Sequence, residues 1–359
     1  MIKNNAVISL ALCVALVFCF TTSVYAAGDN SDDIRVKAII SGLKVEGKEL
    51  LEPEVSLLLE KGFTEEEIKI LDFDIRKVAN LIVTRNMSTD EIEILKNGFV
   101  NDRPKDPEIT SRNQVGKSLE EVNMPDTLSY KYDLSNSINA TDTGVHLALF
   151  TQPSYKFYEY TGFANLGSVY AYTSNTRPYV MFGAHGTTGS IDAGVVYYKE
   201  HNAWRVFMSN GQPNGWYDGI YEANISKGSN IYLNLRCAGN YVQIIVRDAS
   251  TWSIIDEQSV YMGSSFTTNP TNLELVRENT LAQTNRVDDG SYLRNVRWSD
   301  VYLYSLTQTT PAAMSHMKSS RSGFYVYSGR YMYGETPSAN QYISASGLNY
   351  NGETSSLEY

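Results

Sequence analysis

Acid–base cleavage of a glycosidic bond needs two carboxylates facing one cleft, about 5 to 10 Å apart. In this 359-residue chain the near pairs are Asp192 with Glu200, Asp218 with Glu222, and Asp256 with Glu257. Successive residues of a strand point to opposite faces, so the last pair does not converge. The first two read equally well as turn and rim residues, and no E-x-D-x-x-E run lines carboxylates along one strand face. Nucleophilic hydrolysis asks for a positioned base. The four histidines, His146, His185, His201 and His316, lack zinc-ligand spacing, and Gly186-Thr187-Thr188-Gly189 lacks the nucleophile of a G-x-S-x-G elbow. Asp288-Asp289-Gly290 offers oxygens to calcium, although such a triplet more commonly just turns the chain. The expectation is a chain without catalytic residues, metal or cofactor.

Binding chemistry is better represented. Ser209 to Tyr221, SNGQPNGWYDGIY, is a Gly/Asn-rich loop that ends in aromatic residues beside a carboxylate. Aromatic faces stack on the C–H patches of sugars while amides and carboxylates take the hydroxyls. Asn214, Trp216, Tyr217, Asp218 and Tyr221 are therefore the expected ligand-binding residues. The opposing reading is that Trp216 opens a strand and packs inward, as Trp204 is expected to do.

The elements that must position this loop are strands. In Gly189 to Met208, Ile191, Ala193, Val195 and Tyr197 share one side of an extended chain, and Trp204, Val206 and Met208 share a side after the polar turn at Lys199 to Asn202. Ile231, Leu233, Leu235 and Cys237 alternate in the same way, followed across Ala238-Gly239-Asn240 by Val242, Ile244 and Val246. A hairpin alone is marginal in water. Roughly ten to twelve such strands between residues 128 and 306 indicate an all-β antiparallel sandwich or jelly roll of concanavalin-like type. Near its end Val296 and Trp298 have one parity while Val301 and Leu303 have the other, which predicts a bulge at Ser299 or Asp300.

A small α-helical region precedes the sandwich. Residues 1–27 read as a secretory signal peptide: Lys3, the apolar run Ala6 to Phe20, then small residues up to Ala27. Its removal would take Cys13 and Cys19 with it, leaving Cys237 without a disulfide partner. Residues 28–100 carry a gapless repeat at an offset of 24, LLLEKGFTEEEIKIL on LIVTRNMSTDEIEIL. Thr64 with Glu67 and Ser88 with Glu91 have capping-box spacing, and Phe63 and Met87 are placed to staple onto Ile68 and Ile92. This is a plain helical packing module, or one that docks onto the β region. Residues 101–127, with Pro104, Pro107 and Pro125, read as a linker. Residues 307–359, rich in Ser, Tyr and Gly, read as an appendage with little aliphatic core.

Residues 28–129 contain neither Tyr nor Trp, whereas 25 of the 26 tyrosines and all four tryptophans follow. Two regions of different composition thus share the chain. A formal net charge of -10 argues against nucleic acid and anionic lipid as partners. No second apolar run after the signal is long enough to span a membrane.

The Ile-Asp-x-Gly strand, polar turn and Trp-led strand of Gly189 to Met208 resemble the YrpD-like secreted proteins of Gram-positive bacteria. The hairpin from Gly228 to Val246 and the closing strand around Ser299 to Leu303 follow that family's order. The resemblance covers about residues 160 to 305; it implies export and a β-sandwich and transfers no site, the family being of unknown activity. The expected function is a secreted, noncatalytic, extracellular protein that binds a glycan or cell-surface polymer through the sandwich. The alternatives are a secreted carbohydrate-active hydrolase or lyase, and a structural matrix or coat protein.

Overall fold

The computed structural model describes residues 30–45, 47–105, 144–150, 157–174, 176–186, 189–209, 216–218, 223–238, 240–262, 274–282, 290–305, 312–313, 324–327, 343–349 and 352–358. Five helices lead: α1 (Asn30–Ser41), α2 (Glu52–Glu60), α3 (Glu65–Leu71), α4 (Ile75–Thr84) and α5 (Thr89–Val100). The strands are β1 (Gly144–Phe150), β2 (Phe157–Asn165), β3 (Ser168–Tyr170), β4 (Arg177–Gly186), β5 (Gly189–Tyr198), β6 (Ala203–Ser209), β7 (Trp216–Asp218), β8 (Asn230–Ala238), β9 (Tyr241–Asp248), β10 (Ile254–Tyr261), β11 (Glu274–Ala282), β12 (Tyr292–Ser305), β13 (Ala312–Ala313), β14 (Phe324–Tyr327), β15 (Ile343–Asn349) and β16 (Gly352–Glu358). No helix among the described residues is long and apolar enough to cross a membrane.

The strands form an antiparallel sandwich. One sheet has the order β14-β1-β11-β4-β5-β6-β7; the other runs β10-β9-β8-β2-β12-β16-β15, with β3 and β13 also paired to β12. Alternate residues of β2, β4, β5, β6, β8, β9 and β12 meet in one core. Val180, Phe182, Ile191, Val195, Trp204 and Val206 of the first sheet face Tyr160, Leu233, Leu235, Ile244 and Trp298 of the second. The Tyr160 and Phe182 rings stack at 3.9 Å, and Phe182 lies 4.9 Å from Trp298. Cys237 packs there too, beside the Leu233 and Leu235 cluster, as a buried thiol.

Both expected hairpins form. Val195 pairs with Val206 and Tyr197 with Trp204 around a turn closed by left-handed Asn202, and Leu233 pairs with Val246. The register of β12 against β2 shifts between Ser299 and Tyr302, where Asp300 has φ 50°. Asp and Asn tolerate that left-handed backbone better than other side chains. A second shift, at left-handed Asn295, lies between Leu293 and Val296 in the pairing with β16.

The capping boxes are present. Thr64 and Ser88 accept from the Glu67 and Glu91 backbone N–H groups, and each glutamate returns the bond to the cap residue. The helices are not a separate body. Their core is continuous with Phe163, Tyr232 and Trp252 on the outward face of the nine-stranded sheet. Lys77, fully buried, bonds Glu159 at 2.7 Å and Asn234 at 2.9 Å and pairs with Asp74. Arg247 donates to the carbonyls of Gly98, Trp252 and Asp102, satisfying the chain where α5 ends. Residues 101–105, expected to open a linker, are anchored: the Lys105 N–H donates to Glu257 at 2.8 Å.

The C-terminal stretch departs from expectation. Rather than forming an appendage, β15 and β16 extend the nine-stranded sheet, with fully buried Leu357 opposite Leu293, and β14 extends the other sheet beside β1. Its polar composition is accommodated because a strand beside an existing sheet gains ladder hydrogen bonds and needs few apolar side chains of its own. Ser355, for example, accepts a bond from Asn279 inside the core.

Candidate functional site

Trp216, Tyr217 and Asp218 make up β7, at the edge of the seven-stranded sheet, in register with Ser209, Met208 and Phe207 of β6. Asn214 and Tyr221 lie outside the described residues. Trp204 is a core residue, edge-on to Tyr197 at 5.7 Å. Of the three near carboxylate pairs, two lie within the described residues. Asp192 is not a rim residue but sits within β5 between Gly183 and Ser209, whereas Glu200 lies in the turn after β5, paired with Arg177 at 3.1 Å. Glu222 lies outside the described residues, as do Asp288 and Asp289. Asp256 and Glu257 occupy successive positions of β10.

The seven-stranded sheet carries polar groups on the face turned away from the sandwich core. Asp192, Arg205, Ser209, Glu278 and Thr280 are buried there beside Tyr179, Tyr198 and Phe207. The Thr280 hydroxyl donates to Glu278 Oε1 at 2.6 Å, Arg205 donates to Asn224 at 3.2 Å, and Arg177 lies over the Tyr198 ring at 4.4 Å. Among the described residues the Ser209 hydroxyl, opposite Asp192, has no hydrogen-bond partner.

An open cleft of about 590 Å³ lies on the outward side of the nine-stranded sheet, where the helical layer meets β12. Arg85, which follows α4, contributes from the helices; Asn165, Ser229, Asn230, Asp248, Ser250, Arg297 and Ser299 contribute from the sandwich. Arg85 lies over the Phe163 ring at 4.2 Å and binds Asp300 at 2.9 Å. The Asn165 amide donates to the Gly228 carbonyl and to Asn230 Oδ1, and its own carbonyl takes the Gly167 N–H. These bonds hold the floor in one geometry.

Arg297 and Ser299 reach the cleft because they alternate with the buried Val296 and Trp298 on β12. The same outward row continues toward the start of the strand with Arg294 and Tyr292. Tyr292 stacks on Tyr170 of β3 at 5.8 Å, and Arg294 sits 4.0 Å over the Tyr292 ring. Tyr170 and Tyr172 remain exposed. Polar cleft and tyrosine pair thus share one face, along roughly 20 Å of strand at about 3.3 Å per residue.

None of these residues stood out in the sequence. The available signal was the alternation in β12, which the shift at Asn295 interrupts.

No family model matches the chain, and no curated protein matches it in sequence. Among solved structures it is similar to Scytalido-glutamic peptidase, at 11% identity over 62% of this chain and 100% of that one, with a TM-score of 0.39. It is also similar to the alginate lyase from Klebsiella pneumoniae, at 14% identity over 34% of this chain and 57% of that one, TM-score 0.24. A third is carbohydrate-binding module CBM66 from Bacillus subtilis, at 9% identity over 40% of this chain and 80% of that one, TM-score 0.24. At these scores no residue role carries over.

Proposed function

We propose that this protein is an exported, extracellular glycan-binding protein whose binding surface is the outward β12 side of the nine-stranded sheet. The observation that supports it is the polar cleft and exposed Tyr170, stacked on half-buried Tyr292, lying on the same outward face of β12. Sugars need both parts: amides, hydroxyls and guanidiniums for their oxygens, and aromatic faces for their C–H patches. The Trp216 to Asp218 edge of the other sheet belongs to a different surface.

The test is retention of the full chain on insoluble glucans, chitin and peptidoglycan, followed by titration with soluble fragments of whichever polymer retains it. Tyr170→Ala should weaken binding roughly two- to tenfold, the range of one aromatic contact. Failure to be retained on any polymer, or full affinity in Tyr170→Ala, sinks the reading.

A second reading, a carbohydrate-active hydrolase or lyase, has one feature in its favour: buried Asp192 and Glu278 share the outward face of the seven-stranded sheet with the Ser209 hydroxyl, which has no partner among the described residues. Turnover of a polysaccharide that Glu278→Gln abolishes would support it. Unchanged turnover in both Glu278→Gln and Asp192→Asn would dismiss the pair.

A further inference from the structure

We infer that the glycan taken by the β12 cleft carries a carboxylate, as a uronic-acid residue does, and that Arg297 is the group that selects it. The inference rests on the reading of the cleft as a glycan site and goes further by naming the sugar class.

Four charged groups bear on the cleft, and three are already committed. Arg85 has one guanidinium nitrogen on Asp300 and its plane over Phe163. Asp300 is the other half of that pair. Asp248 turns Oδ1 into its own loop, where it accepts from the Ser250 N–H and hydroxyl and from the Thr251 N–H and hydroxyl at 2.5–3.2 Å. Those bonds, led by the Ser250 hydroxyl, hold its carboxyl below the usual range.

Arg297 is the exception. It is exposed, it lines the cleft, and among the described residues it makes no ion pair or hydrogen bond. A guanidinium presents a planar fork of donors that matches a carboxylate in two parallel bonds. Asn230, Ser229, Ser250 and Ser299 line the same cleft, and their amide and hydroxyl groups are of the kind that takes sugar hydroxyls. Elsewhere on the same strand Arg294 already holds a carboxylate, that of Glu358, at 2.6 Å. Arg297 has the same outward placement on β12 without such a partner among the described residues.

The experiment is calorimetric titration of the full chain with oligogalacturonate and with glucuronate-containing oligosaccharides, each against its neutral methyl ester, plus a sulfated oligosaccharide of equal length. The free acids should bind about 10- to 100-fold tighter than their esters, the worth of a hydrogen-bonded charge pair. Arg297→Gln should erase that difference, and Arg297→Lys should restore only part of it because an ammonium lacks the fork. With no partner among the described residues to lose, both variants should keep the wild-type melting midpoint.

Equal binding of acid and ester would overturn the inference while leaving the glycan reading in place. So would a preference for the sulfated chain, or an acid preference that survives Arg297→Gln. Binding of none of these sugars, together with no retention on the insoluble polymers, would overturn both.

Discussion

Lys77 Nζ lies 2.7 Å from Glu159 Oε1 with both side chains shut away from water, joining α4 to β2 across 82 residues of chain. Asn234 donates to the same oxygen at 2.8 Å, and Asp74 completes the cluster. Burial alone would raise the Asp74 pKa, but Lys77, then Arg236 and Arg247, pull it below its ordinary value. Removing one member of such a buried set leaves an uncompensated charge, which costs about 3–5 kcal/mol.

Lys77→Met should therefore lower stability in urea by about that amount, because it strands both Glu159 and Asp74. Glu159→Gln should cost less, since Lys77 keeps Asp74 and Asn234. No effect from Lys77→Met would show that the cluster does not hold the two layers together, and equal effects would show that loss of Lys77 does not strand Asp74.

Gly98 faces Trp252 so closely that an added Cβ would overlap the Trp252 Cβ and lie 2.9 Å from its carbonyl carbon. Helix propensity alone favours Ala over Gly by about 1 kcal/mol. Packing should reverse that sign: Gly98→Ala is expected to destabilise by about 1–3 kcal/mol, the cost of overpacking. A raised melting temperature would mean that α5 does not sit this tightly on the β9–β10 turn.

Burial pushes the Asp256 pKa up to about 6, against a usual 3.8, with the Glu257 N–H and Lys105 opposing. The folded state therefore holds this proton more tightly than the unfolded chain does, so its contribution to stability is complete below about pH 4 and is lost as pH rises to 6. Asp256→Asn should gain up to roughly 3 kcal/mol at pH 7.5 and nothing at pH 3.5. Denaturation curves at the two pH values decide it, and a gain that does not depend on pH would refute the account.

Burial also pushes the Cys237 thiol up to about 12. In native buffer a disulfide reagent such as DTNB should leave it unmodified, and it should react fully in 6 M urea. Rapid labelling of the native protein would place this end of β8 outside the core.

Much of the sandwich was legible because a period of two leaves its mark residue by residue. Ile231, Leu233 and Leu235 announce an inward row wherever their partners come from, and the change of parity between Trp298 and Val301 placed a bulge at Ser299 or Asp300, where the register shifts and Asp300 is left-handed. The helix caps were equally readable, since Thr64 with Glu67 and Ser88 with Glu91 act within four residues. The cleft was not. Arg85 and Arg297 are more than 200 positions apart, and Arg297 becomes notable only when every neighbouring charge is found to be engaged.

The amino-acid order alone settled what is local: the alternating strands, the capped helices, the two hairpins and the inward placing of Trp204 and Cys237. Only the folded chain decided that Lys77 is buried rather than solvated, that the polar C-terminal stretch supplies β15 and β16, and that Arg297 lines a cleft beside Arg85. The physical reason is range. Hydrophobic periodicity and capping are written within a turn or a strand, whereas the burial of a charge and the shape of a cleft depend on partners that tertiary packing brings from far along the chain.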